Sequence, residues 1–376
     1  MQHCQDFDPV ENHKDSLYCP CFVVFRQMRG EAVQHILVTG AAGFIGSAFV
    51  REALKNNYRV SILDALTYAG HRENIEEVLK PGVCEFFHGD IRDFQLVNGL
   101  FEKFHFDGVI NFAAESHVDN SISGPAEFIQ TNIVGTFTLL EAARGHWSKL
   151  KDSQKSEFRF LQVSTDEVFG ALGATGAFSE STPYAPNSPY SATKAASDHL
   201  VRAWFHTYGL PTITTNCSNN YGPRQFPEKL IPLMIRNALA GLPLPVYGQG
   251  ANIRDWIHVE DHSRGVLLAL AKGKPGGTYC LGGNSERNNL QVVKSICQTL
   301  DQVSPRKDGK SHEVGIQFVK DRAGHDFRYA IDDSLARKEL GFERHFRSFE
   351  DGLLATINWY LQNQKWIGQV TKNVRH

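Results

Sequence analysis

His35-Ile36-Leu37-Val38-Thr39-Gly40-Ala41-Ala42-Gly43-Phe44-Ile45-Gly46-Ser47 joins an apolar, β-branched run to a glycine turn and the opening of a helix. A buried strand, then G-x-x-G-x-x-G, then a helix start predicts a dinucleotide-binding turn. Gly40 permits the tight turn, Gly43 lets the backbone approach a pyrophosphate, and Gly46 lets helix and strand pack closely. The pyrophosphate would sit on the free N–H groups of the helix start. The next strand, residues 59–63, ends at Asp64, where a carboxylate can reach the adenosine ribose. A carboxylate there repels a 2′-phosphate, so NAD is expected rather than NADP.

Outward from this turn, strand-like runs at residues 84–88, 108–112, 158–164 and 212–216 alternate with helical ones at 44–56, 94–103, 125–143 and 189–208. Alternation of this kind predicts an α/β fold, a Rossmann-type doubly wound parallel sheet with helices on both faces. Beyond Cys217 it breaks into proline-rich turns, with helices expected at 230–240, 261–272 and 288–300 and a further segment at 254–259. These form a smaller C-terminal α/β substrate-binding lobe. The expected organisation is therefore 1–33, an N-terminal extension; 34–216, the NAD-binding domain; and 217–376, mainly the lobe, with interleaved boundaries. Two polar stretches, 149–157 and 304–313, are expected to be solvated loops. In the extension, residues 17–25 are apolar but few, have no basic run before them and meet Arg26 at once, which makes a poor signal peptide. Met28, just before the first strand, fits an over-long start assignment.

With 39 Lys+Arg against 41 Asp+Glu, the 376-residue chain offers no electrostatic case for nucleic acid or an anionic membrane as partner. No apolar stretch approaches the length of a membrane span. The seven cysteines (Cys4, Cys19, Cys21, Cys84, Cys217, Cys280, Cys297) are scattered and odd in number, as expected of reduced thiols in a cytoplasmic protein. Cys19-Pro20-Cys21 lacks the usual Cys-x-x-Cys spacing and any following His or Cys cluster, so no metal is expected.

Chemistry concentrates in Ser164-Thr165-Asp166-Glu167 and in Tyr190 and Lys194. Tyr-x-x-x-Lys puts both side chains on one helix face, where an ammonium can favour a phenolate. Such a tyrosine can take the proton of a sugar hydroxyl while the carbon below it is oxidised. Two adjacent carboxyl groups can divide into one acid and one base if one raises the other's pKa.

These stretches, with residues 113–119, 189–199, 217–232, 254–262 and 321–329, resemble the nucleotide-sugar 4,6-dehydratases of the extended short-chain dehydrogenase/reductase family over residues 34–361. The G-x-x-G-x-x-G spacing is that family's variant. The resemblance implies bound NAD, a nucleoside diphosphate hexose as substrate with dTDP-glucose favoured, and catalysis by Thr165, Asp166, Glu167, Tyr190 and Lys194. Tyr190 would be the base at C4, Thr165 its helper on the C4 oxygen, Glu167 the base at C5 and Asp166 the acid for the C6 hydroxyl. Cofactor contacts are implied at Gly40, Gly43, Phe44, Ile45, Gly46, Asp64, Thr67, Asp90, Ile91, Ala113, Ala114, Thr131, Tyr190, Lys194 and Asn220. Substrate contacts are implied at Ser116, Thr165, Asn219, Lys229, Leu230, Pro245, Tyr247, Arg254, Asn289, Asp321, Arg322 and His325. Asn219 and Arg254 suit a diphosphate, and Tyr247 a stacked pyrimidine. The chain departs from the family pattern at Ala323, Phe327, Asn120 and Phe169 without losing a catalytic group.

A homodimer through helices 125–143 and 189–208 is also implied. A UDP-sugar 4-epimerase or decarboxylase would share the NAD site and the Tyr190/Lys194 pair but would not need Asp166 and Glu167. A non-catalytic NAD-binding sensor or scaffold would need none of these together.

Overall fold

The computed structural model describes residues 33–321 and 326–371. Residues 1–32 of the extension, with its three cysteines, lie outside them together with Arg322, Ala323 and His325. The strands that carry the sheet are β1 (His35–Thr39), β2 (Arg59–Asp64), β3 (Cys84–His88), β4 (Gly108–Asn111), β5 (Arg159–Thr165) and β6 (Thr212–Cys217). Further along come β7 (Asn219–Tyr221), β8 (Leu244–Tyr247), β9 (Ile253–His258), β10 (Thr278–Leu281), β11 (Glu286–Asn288) and β12 (Ile316–Val319).

Seven strands pair in the order β10-β6-β5-β4-β1-β2-β3, every neighbour parallel. The chain runs outward from β1 to β3, then restarts on the other side of β1 with β4. Such a reversal opens a crevice at the carboxyl ends of β1 and β4, which is where a dinucleotide binds in this class of sheet. All of β1 is buried, as a strand covered by helices on both faces must be.

Alternation along β1 sends its side chains to two cores. Ile36 and Val38 pack with Phe49, Val50 and Ala53 of α1 (Phe44–Lys55) and with Val266 and Leu270 of the helix Val259–Lys272. Leu37 packs with Val97, Leu100 and Phe101 of α2 (Phe94–Lys103) and with Leu139 and Leu140 of α3 (Thr136–Ser148). Val201 and Trp204 of α4 (Pro189–Tyr208) close this second core. A third core lies under the C-terminal segment, where α5 (Leu230–Ala240), α6 (Asn289–Val303) and α7 (Phe349–Gln362) bring together Met234, Ile235, Val293, Ile296, Leu353 and Ile357.

The boundary near residue 216 is crossed repeatedly. β10 returns from the C-terminal segment to complete the large sheet beside β6, while β11-β9-β7 and β12-β8 form two small sheets. The stretch 149–157, expected as a loop, contains a short helix, Asp152–Glu157. Gln154 Oε1 accepts from the Lys151 N–H at 3.3 Å, and Asp152 suits the positive end of the helix dipole. Six polar residues show no apolar period, so hydrophobic patterning misses such an element. The expected helix 125–143 is helical throughout, but residues Ile129–Gly135 are wound as a π-helix between Pro125–Phe128 and α3.

Cys84, Cys217, Cys280 and Cys297 are buried free thiols. Among the described residues no helix is long and apolar enough to cross a membrane, and no group of three or more His, Cys, Asp or Glu could hold a metal ion.

Candidate active site

A cleft of about 380 Å³ opens at the switch point between β1 and β4. Every residue expected to touch the cofactor lines it: the glycine turn with Phe44 and Ile45, then Asp64, Thr67, Asp90, Ile91, Ala113, Ala114, Thr131, Tyr190, Lys194 and Asn220. Thr165, Asp166 and Glu167 line it too, with Ser116, Asn219 and Lys229. Leu230, Pro245, Tyr247, Arg254, Asn289 and Asp321 stand outside this lining, on α5, β8, β9, the start of α6 and just beyond β12. Sequence reasoning did not single out Tyr68, Gln225, Phe226 and Cys217, which also line the cleft. Cys217 sat inside a stretch that carried the resemblance, but as a small buried residue it gave no chemical signal.

The glycine turn has the room its spacing implied. At Gly40, with φ +67°, a Cβ would come within 2.5 Å of the Ala113 nitrogen. At Gly46 it would meet the Gly40 carbonyl oxygen at 2.5 Å. At the mouth of the turn, Asp64 Oδ2 accepts from the Ala42 N–H at 2.8 Å and Oδ1 from the Leu66 N–H at 2.8 Å. A narrow turn at a helix start beside a fixed carboxylate fits a dinucleotide with a free ribose diol.

β5 delivers Thr165 at its last position, and the 3₁₀ turn Asp166–Phe169 follows directly. Thr165 Oγ1 accepts from the Glu167 N–H at 3.2 Å, and the Thr165 carbonyl accepts from Asn216 Nδ2 at 3.0 Å, so strand and turn are held together. Asp166 is 2% exposed, and its Oδ2 is buried with no hydrogen-bond partner. Burial, reinforced by the neighbouring Glu167 charge, pushes the Asp166 carboxyl well above the usual carboxylate range. A neutral carboxylic acid can donate a proton; the expected division into acid and base needs this of Asp166.

The Tyr190 phenol is pushed up, by burial first and then by the Glu167 charge. Lys194 is 4% exposed and donates to the Val163 carbonyl at 2.8 Å, and Glu167 is the charge that acts most on the phenol. Helical spacing puts Tyr190 and Lys194 on one face but leaves open what else the phenol meets. Arg254, buried on β9, donates to the carbonyls of Ile253 at 2.7 Å and Asp326 at 3.0 Å and lies 4.2 Å from the centre of the Tyr329 ring.

A Rossmann-type sheet whose cleft joins a glycine turn to a tyrosine, a lysine and a carboxyl pair defines a nucleotide-sugar-modifying class of short-chain dehydrogenase fold. Residues 37–356 match the family described as GDP-mannose 4,6 dehydratase, and the chain belongs to that family. The dTDP-glucose 4,6-dehydratase of Xanthomonas campestris pv. campestris (strain B100) is 59% identical over 331 residues, 88% of this chain and 94% of that protein. DesIV, the dTDP-glucose 4,6-dehydratase of Streptomyces venezuelae solved with NAD bound, is 44% identical, with a TM-score of 0.81 over 90% of this chain and 100% of that one. The UDP-glucose 4-epimerase of Thermus thermophilus, solved with NAD, shares the fold at 27% identity and a TM-score of 0.77 over 88% of this chain and 100% of that one.

Proposed function

We propose that this protein is an NAD-dependent hydro-lyase that converts dTDP-glucose to dTDP-4-keto-6-deoxyglucose and water. The observation that carries the reading is the buried Asp166 beside Glu167 in the same cleft as Tyr190 and the glycine turn. An epimerase needs the turn and the tyrosine but has no use for an adjacent acid and base. Dehydratases at high identity over most of the chain support the same choice.

Bound NAD supplies the acceptor of hydride from C4 and its donor to C6, so there is no net oxidation. Within that frame Tyr190 takes the proton of the C4 hydroxyl, and Thr165 holds the C4 oxygen by a hydrogen bond. The ketone formed at C4 makes the C5 proton acidic. Glu167 removes that proton and gives one back to C5 as C6 is reduced, and Asp166, kept neutral by burial, protonates the departing C6 hydroxyl. The buried donors of Arg254 and the exposed ring of Tyr247 suit the diphosphate and base.

The working molecule is read as a cytoplasmic homodimer. Exposed Ile129 and Phe137 and the chain of ring contacts Phe137–Trp204–Tyr208 give the π-helix, α3 and α4 a shared apolar face that supports this.

The test is to incubate the purified protein with dTDP-glucose, UDP-glucose and UDP-N-acetylglucosamine separately, without added NAD, and follow product mass. Loss of one water from dTDP-glucose alone is expected. Isomer conversion without mass change would make the protein an epimerase, and dehydration of a UDP-sugar alone would replace the nucleotide.

A further inference from the structure

Asp198 lies on α4 one turn beyond Lys194, is 4% exposed and does not line the cleft. Its Oδ2 accepts from Ser164 Oγ at 2.6 Å and from the Tyr184 hydroxyl at 3.1 Å, while its Oδ1 is buried without a hydrogen-bond partner. A carboxylate removed from water and bonded through hydroxyls calls for a cation nearby, because an uncompensated buried charge is costly. Lys194, equally buried one turn back on the same helix, is the cation whose charge acts on it through space. The other groups facing the pair are the Tyr184 phenol from the loop before α4, and the Asn216 amide and Cys217 thiol from β6. All three are uncharged at neutral pH, the thiol because burial pushes it up to about 12. Lys194 therefore lines the cleft with its counter-charge, Asp198, behind it on the same helix.

We propose that Asp198 is a positioning residue of the reaction: its carboxylate keeps Lys194 as an ammonium and fastens Ser164, the residue before Thr165, to the helix that carries Tyr190 and Lys194. The proposal rests on the reading of Tyr190 and Lys194 given above. Through Ser164 the same carboxylate fixes the end of β5, so one group sets both the charge of the lysine and the place of the threonine.

The sign of the pH effect follows. Burial lowers the pKa of Lys194, and the Asp198 charge opposes this. Removing that charge leaves burial unopposed, so Lys194 loses its proton at a lower pH. Asp198 itself, raised to about 6 by burial, is ionised at neutral pH and loses its charge in mild acid.

The test measures dTDP-glucose dehydration against pH for the wild-type holoenzyme and for Asp198→Asn, with folding checked by circular dichroism. For the folded variant, kcat should fall about tenfold with little change in KM, and the alkaline limb should move down by about one pH unit. Asp198→Glu should return the limb toward its wild-type position. A folded Asp198→Asn with the wild-type profile would overturn the proposal, even with lowered stability. If Asp198→Asn does not fold, Tyr184→Phe takes its place; it keeps the carboxylate but removes a donor, and should move the acid limb up. An unmoved acid limb in Tyr184→Phe overturns the proposal as well. Wild-type protein that does not dehydrate dTDP-glucose sinks the functional reading and this proposal together, whereas active wild type with unshifted variants sinks only the role of Asp198.

Discussion

Two glycines of the first turn are fixed by room: a Cβ on Gly40 or Gly46 would meet backbone at 2.5 Å, and backbone cannot rotate away as a side chain can. Gly46→Ala should cost about 2 kcal/mol and lower the NAD retained on purification. Gly99, inside α2 with nothing within 4 Å, is the control, and Gly99→Ala should instead stabilise by roughly 0.5–1 kcal/mol. Thermal unfolding of the two variants side by side checks the contrast. At the carboxyl pair, Asp166→Asn with Glu167→Gln should keep bound NAD while lowering product formation by about 10²-fold or more. Wild-type dehydration by that double variant would remove both residues from the elimination step. These residues were legible because each lies in a run with fixed local spacing. The ionisation of Tyr190 and the place of Asp198 were not, since both depend on groups brought in from β5, β6 and the loop before α4.

Within the π-helix Ile129–Gly135, one side chain bonds to two other parts of the chain. Asn132 Oδ1 accepts from the Glu115 N–H at 2.8 Å, and its Nδ2 donates to the Glu115 carbonyl at 3.1 Å and to Thr193 Oγ1 at 2.9 Å. The irregular turn thereby ties the loop after β4, which carries Ala113, Ala114 and Ser116, to the helix of Tyr190 and Lys194. Asn132→Ala leaves a buried N–H and carbonyl without partners, so it should destabilise by about 2 kcal/mol and weaken NAD retention. Unchanged melting temperature and unchanged NAD content would show that the π-turn holds without it. Helical periodicity predicted the start of this helical run but not its end at Ser148, nor its winding, because residue type varies little between α and π turns. The regular elements β3, α2, α4 and α5 are found at the predicted bounds, since long apolar periods and clear turn signals flank them. The helix Asp152–Glu157 has neither.

Across the whole molecule, acid stability is a balance of buried groups. Burial lowers His35 to about 4 and His258 and His262 to about 3, all from 6.5. Each is neutral in the native state and protonated in the unfolded chain once the pH falls below 6.5, so the stability present above that pH is lost progressively down to the folded pKa. Raised carboxyls such as Asp64, Asp166 and Asp198 act in the opposite sense, because the native state keeps protons that the unfolded chain has released. A single histidine isolates one side of the balance. Relative to wild type, His262→Gln should gain about 2 kcal/mol between about pH 6.5 and about pH 5, at roughly 1.4 kcal/mol per unit. Denaturant unfolding at the two pH values reads the difference, and a constant offset would mean that His262 is not held neutral. At this scale the parallel sheet was legible from strand and helix alternation. The return of β10 was not, because a four-residue strand after a helix resembles many others until its neighbour is known. That return sets the order in which the molecule can be completed during synthesis. Until Leu281 has left the ribosome, β6 is an open edge of a six-strand sheet, and a fragment ending near residue 216 keeps that edge for good as a template for pairing with another chain.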